Sequence, residues 1–265
     1  ALLRAALDNT IRVAGQLEEK LQQSVLGVIP FMGSVSEDSN VAQLYFDRAH
    51  NSFAEATRSL RTSVVLSGLE KPHKVTVVTS SVPGEGKTTV SSNLALALGQ
   101  MEKVILIDAD MRRPSLAKEY GLPKGTAGLA ELVAGTNEAA DCIQHLDELG
   151  IDLISAGAVP PNPLDLLSSK RFETLLQQLG ERYDRIVIDS APTQAVSDSL
   201  VLSTKADALI YVVKSDGTAA DIARNGLERL ARVGAPIIGC VLNQFDAEAA
   251  AKYGGYGQYK YVYYG

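Results

Sequence analysis

An apolar run, VTVVTS (75–80), passes directly into SVPGEGKTTVSSNLALALG (81–99), and no other stretch limits the fold as tightly. The second segment opens as a P-loop. Gly86, Lys87 and Thr88 supply the required GK[ST], with Ser81 where a leading glycine is usual. Such a loop works between a strand and a helix. Gly84 and Gly86 let backbone N–H groups approach phosphate oxygens, and the helix that follows points its positive end at them. Lys87 is suited to reach the β- and γ-phosphates, and the Thr88 hydroxyl to ligate Mg²⁺. Ser81, Pro83, Gly84, Glu85, Gly86, Lys87, Thr88 and Thr89 are the expected nucleotide-binding positions.

Five further runs read as strands: KVILIDAD (103–110), IDLISAG (151–157), RIVIDS (185–190), ALIYVVKS (208–215) and IIGCVLNQ (237–244). Most are rich in Val and Ile without polar alternation, as strands covered on both faces should be. Helical segments at 88–101, 169–181 and 219–233 separate several of them. Strand–helix–strand repetition predicts an α/β fold with a doubly wound, mostly parallel sheet. Ligands bind such sheets at the carboxyl edge, where Asp108, Asp110 and Asp189 end their strands. A carboxylate there is costly to bury without a cation, and a Mg²⁺–nucleotide supplies one. Capping of the following turn is the alternative for each. Asn243 either presents its amide to an adenine ring or serves a turn.

The rest of the chain divides around this unit. A polar helix-like stretch (8–23) and VLGVIP (25–30) precede a small, polar linker, GSVSEDSN (33–40). A helix is expected over 40–66, with Phe53, Ala56, Leu60 and Val64 as its core stripe and Glu55, Arg58 and Arg61 on the opposite face. The divisions are residues 1–39, 40–245 and 246–265. In the last, six of the chain's ten tyrosines, Tyr253, Tyr256, Tyr259, Tyr261, Tyr263 and Tyr264, gather within thirteen residues. A net charge of -6 argues against non-specific nucleic-acid binding. The two cysteines (Cys142, Cys240) and three histidines (His50, His73, His145) lack metal-ligand spacing and are assigned structural roles. No apolar run is long enough to cross a membrane. The chain begins without methionine, so membrane segments upstream are expected to lie outside it.

VVTSSVPGEGKTT, ILIDADMRRP and IVIDSAP together resemble the Walker A, Walker A′ and Walker B motifs of bacterial tyrosine kinases, the BY-kinases of Wzc-type polysaccharide co-polymerases. EATRSLRTSV (55–64) is similar to that family's ExxRxxR oligomerisation helix, and AGAVPPNPLDLLSS (156–169) to another recurring segment. The resemblance implies an ATP- and Mg²⁺-dependent autokinase. Lys87, Asp108 and Asp110 would be catalytic, with Thr88, Asp108, Asp110 and Asp189 near the metal. The tyrosine-rich end would be the phosphoacceptor. It also implies a ring, typically of eight, docked through Glu55, Arg58 and Arg61 at the cytoplasmic side of the inner membrane. A protein tyrosine phosphatase and polysaccharide export machinery are the implied partners.

ParA/MinD-type switch ATPases share the expected fold and form the alternative reading, with output through partner or membrane binding. Their signature lysine falls at Val82 here, and a terminal tyrosine cluster is foreign to them. Twenty residues from Asp246 reach at most about 70 Å when extended, enough to cross to a neighbouring subunit. Full phosphorylation of six tyrosines would add roughly -9 to -12 charges, which predicts a loosened assembly.

Overall fold

The computed structural model describes residues 9–33, 41–47 and 50–251. Eight strands are present among them: β1 (Val25–Pro30), β2 (Val75–Ser80), β3 (Val104–Asp108), β4 (Ile143–Leu146), β5 (Ile151–Ile154), β6 (Arg185–Asp189), β7 (Ala208–Lys214) and β8 (Ile237–Phe245). They form one sheet in the order β1-β8-β7-β2-β6-β3-β5-β4. Every pairing is parallel except β4 with β5. β2, β3 and β6 are buried at each position, because helices cover both faces. The fold is the doubly wound α/β sheet expected.

Each face has its own core. On one, Leu17, Phe172, Leu176, Leu227 and Leu230 pack on β-strand residues such as Ile105, Ile186 and Leu209. On the other, Phe53, Ala56, Leu60 and Val64 form the predicted stripe and meet Leu94, Leu96 and Leu98 of the helix Lys87–Gly99. That helix is buried from Val90 to Leu98. It lies between the sheet and the helix Asn51–Ser67, so its sequence carries no polar face. Its N-terminus is thereby fixed at the carboxyl edge of β2.

Several elements differ from the sequence expectation. The helix expected over 40–66 is a 3-10 turn, Val41–Phe46, followed by the separate helix Asn51–Ser67. The Tyr45 N–H donates to Asn93 Oδ1 at 2.8 Å, which diverts it from a helical ladder. VLGVIP, grouped with the N-terminal segment from sequence, is β1 and pairs with β8 from Val25↔Cys240 to Pro30↔Phe245. Gly27 permits close packing there, since a Cβ would lie 3.2 Å from Leu60 Cβ. The antiparallel strand β4 went unforeseen. The expected run 103–110 stops pairing at Asp108, whose side chain turns the chain by accepting the Ser115 and Leu116 N–H groups.

Cys142 and Cys240 are free and buried. His50 and His145 lie 2.8 and 2.7 Å from Asp47 and Asp152, and the ring nitrogens of His73 are buried without a partner. Among the described residues, no helix is long and apolar enough to cross a membrane. Residues 34–40 of the expected linker and 252–265, with all six clustered tyrosines, lie outside the described residues.

Candidate nucleotide site

Gly84 and Gly86 hold φ of 85° and 87°, the left-handed region in which a side chain is strained. Gly86 has a second constraint. A Cβ there would lie 2.0 Å from Asn243 Nδ2. That amide reaches across from β8 and donates to the Glu85 carbonyl at 2.9 Å. One N–H of the Asn243 amide is thus engaged by the P-loop, and the residue is 3 % exposed. Ser81 is also buried behind the loop, 3.0 Å from the Tyr211 hydroxyl.

Lys87 projects from the first turn of the helix into a cluster of carboxylates. Its Nζ lies 2.9 Å from Asp110 Oδ2 and 3.8 Å from Asp189 Oδ2. Burial works to lower its proton affinity, but the charges of Asp189, Asp110 and Asp108 together outweigh that and raise it. Thr88 Oγ1 donates to Asp189 Oδ2 at 2.6 Å. Asp189 Oδ1 is buried and has no hydrogen-bond partner.

Asp108 and Asp189 are register neighbours on β3 and β6, so two buried carboxylates end side by side. Burial, reinforced by the Asp189 charge, pushes the Asp108 pKa up to about 8. Burial likewise raises that of Asp189, against the opposing influence of Lys87 and Thr88. Asp108 Oδ1 accepts the Asp110 N–H at 3.2 Å, and Oδ2 accepts those of Ser115 and Leu116.

Beside these groups opens a cavity of about 440 Å³. Pro83, Gly84, Gly86, Lys87, Thr88 and Asp110 line it from the expected set. Ser81, Glu85, Asp108, Asp189 and Asn243 are buried behind that lining, and Thr89 is outside it. Arg112, Arg113 and an apolar wall from Ala191 to Val196 complete the cavity and were not singled out from sequence. Arg112 is held by two bonds, 2.7 and 3.0 Å, to the fully buried Asp198. Its signal was the MRRP that follows DAD; Asp198, 86 residues away, had none.

Glu55, Arg58 and Arg61 lie apart from this cavity. Arg58 pairs with Glu55 at 2.5 Å and stacks 5.8 Å from the Tyr45 ring centroid, while Arg61 Nη1 donates to the Ala97 carbonyl at 3.3 Å.

The donor set fits Mg²⁺. An orphaned carboxylate oxygen and an adjacent hydroxyl are hard oxygen ligands of the kind that ion takes. Among the described residues no group of three or more His, Cys, Asp or Glu side chains is arranged to hold a metal.

Sheet order, P-loop and acidic strand ends define a P-loop NTPase domain, and the AAA domain family matches residues 73–238. Tyrosine-protein kinase YwqD of Bacillus subtilis is 33 % identical over 77 % of this chain and 86 % of its own length. Tyrosine-protein kinase etk of Escherichia coli K12 is 35 % identical over 81 % of this chain, which spans only 30 % of that longer protein. The solved kinase domain of the Escherichia coli tyrosine kinase ETK superposes with a TM-score of 0.81, at 32 % identity, covering 87 % of this chain and 94 % of that one. The chain belongs to the bacterial tyrosine-protein kinases.

Proposed function

We propose that this chain transfers the γ-phosphoryl group of ATP to tyrosines of its own C-terminal cluster, presented by a neighbouring copy. The observation that carries the reading is Lys87 bound between Asp110 and Asp189 at the mouth of a P-loop, in a chain that ends in six tyrosines. A tyrosine hydroxyl has a pKa near 10, so at pH 7 it must lose its proton as it attacks. The phenol oxygen forms the new bond to the γ-phosphorus while the bond to ADP breaks. The proton passes to the aspartate pair: Asp110 lines the cavity, and Asp108 behind it becomes an acceptor once the positive charge of a magnesium nucleotide displaces the proton that burial keeps on it in the empty site.

Lys87 neutralises phosphate charge, and the P-loop N–H groups hold the phosphates in line. Thr88 and Asp189 would hold Mg²⁺ directly or through water, and the ion would supply neutralisation of phosphate charge. A second cavity of about 270 Å³ opens at the carboxyl ends of β7 and β8, among Arg12, Phe31 and Lys214.

The same reading extends to assembly. Glu55, Arg58 and Arg61 are the docking face of a homo-oligomeric ring, and phosphorylation of the tail loosens it by charge repulsion. The chain acts at the cytoplasmic side of a bacterial inner membrane, in export or assembly of polysaccharide, with a cognate tyrosine phosphatase. Likeness to curated tyrosine kinases supports these assignments over the switch-ATPase alternative.

Mixing tests the transfer between copies. A Lys87→Met chain with an intact tail is incubated with an active chain truncated after Ala251, ATP and Mg²⁺. Mass spectrometry of the intact tail is expected to find phosphotyrosine. An unmodified tail, with the active chain still phosphorylating an added tyrosine peptide, would rule out transfer in trans.

A further inference from the structure

The P-loop is held from beneath as well as at its ends. Glu85, between the two glycines, turns inward and is 2 % exposed. Its Oε2 accepts the Val82 N–H at 2.7 Å, closing the loop on itself. Its Oε1 accepts the hydroxyl of Thr218, a buried residue in the turn between β7 and the helix Ala220–Arg232. Thr218 Oγ1 in turn accepts the Lys214 N–H at 3.1 Å.

That turn is firmly anchored. The Ile11 N–H donates to the Thr218 carbonyl at 3.0 Å, the Asp216 N–H to the Ile11 carbonyl at 2.8 Å, and the Ala220 N–H to the Asn9 carbonyl at 2.8 Å. Ile11 itself is fully buried. Through Thr218 the P-loop is therefore tied to a hydrogen-bonded turn whose residues do not line the 440 Å³ cavity.

A carboxyl within a phosphate-binding loop is the wrong charge for its ligand unless it faces away. Facing away, it must be buried, and burial raises its pKa against the pull of the Thr218 and Val82 donors. The Ser81 N–H and Ser80 hydroxyl also favour the charged carboxyl, but without Thr218 the loop loses its tie to the β7 turn and is freer to reorganise. Gly84 and Gly86 flank this residue, and their left-handed angles decide where the loop's N–H groups point.

We propose that Glu85 is a positioning residue for nucleotide binding, clasped by Thr218 so that the loop between Gly84 and Gly86 is preorganised for phosphate. The proposal rests on the nucleotide reading of the P-loop. A loop already in its bound shape loses less entropy on binding than one that must first be ordered.

The test uses the full 265-residue chain. Calorimetric affinity for Mg²⁺-ADP, thermal stability, and KM values for ATP and for a tyrosine peptide are measured for Glu85→Gln, Thr218→Val, Thr218→Ser and the double variant Glu85→Gln/Thr218→Val. Glu85→Gln and Thr218→Val are each expected to weaken ADP by about tenfold and to raise the KM for ATP alike, with the KM for peptide unchanged. Thr218→Ser keeps the hydroxyl and should bind within about twofold of wild type. The double variant should bind no worse than the weaker single, because both changes open one clasp.

ADP affinity of Glu85→Gln within about twofold of wild type would overturn the proposal, as would equal losses in Thr218→Ser and Thr218→Val. If Thr218→Val fails to fold, Glu85→Gln decides alone. Failure of the kinase reading looks different: wild type would bind ADP and leave tyrosine unmodified.

Discussion

The two edges of the sheet handle charge in opposite ways. At the amino edge, Arg185 at the start of β6 grips Glu102 through bonds of 2.6 and 3.3 Å and donates to the His73 carbonyl at 3.0 Å. Lys74 spends its ammonium on the Gly180 and Tyr183 carbonyls, at 2.6 and 3.0 Å. Asp184 and Asp207 accept the N–H groups of Lys103 and Val75. At the carboxyl edge, Asp108, Asp110 and Asp189 converge on Lys87, and the nearby Arg112 is already engaged by Asp198. One edge pairs its charged groups with its own side chains and carbonyls, although the neutral His73 ring beside them has no partner. The other carries surplus negative charge and an orphaned oxygen, which a magnesium nucleotide would relieve.

The contrast should therefore break differently at each edge. The largest effect is expected for Asp189→Asn. Phosphotransfer should fall by about 10³-fold, while the nucleotide-free chain gains about 1–2 kcal/mol at pH 8 because a buried like charge is gone. Rate assays and thermal unfolding of the same preparation check both halves. A joint loss of activity and stability would mean that Asp189 is structural.

Arg185→Ala should do the reverse. It leaves Glu102 and the His73 carbonyl short of a partner, and a loss of about 3 kcal/mol is expected by denaturant unfolding. Activity per folded molecule should stay within about twofold, since the residue lies at the far end of β6.

A separate contrast lies in the pH dependence of stability alone. Asp108 ordinarily titrates near 3.8, and in the fold it does so at about 8. Between these values the folded chain keeps a proton that the unfolded chain has released. Stability of the nucleotide-free protein therefore declines as pH rises from about 4 to about 8. Thermal unfolding across that range should show the decline, and Asp108→Asn should flatten it. A stability that climbs over the same range would contradict the charge surplus.

The parts of this arrangement visible in sequence are those set by local pattern. VTVVTS followed by GEGKTT identified a strand, a loop and a helix because each needs its own residue types in order. ILIDAD and IVIDSAP announced buried acids because an apolar strand ended in each. Roles created by distant partners were not legible. Glu85 looked like one more residue facing nucleotide, yet its carboxyl belongs to Thr218, 133 positions away. Asn243 offered a base contact or a turn role, and one N–H of its amide has a third task that the sequence did not mark, bracing the P-loop. β4 has four residues and a half-exposed pattern, too little to mark an antiparallel edge.

The most direct test of the account is mass spectrometry of residues 253–265 after incubation with ATP and Mg²⁺, in wild type and Lys87→Met. Phosphotyrosine is expected in the wild-type peptide and none in the variant, with both chains equally folded by circular dichroism. An equally phosphorylated variant, or a wild-type tail that stays unmodified, would contradict it.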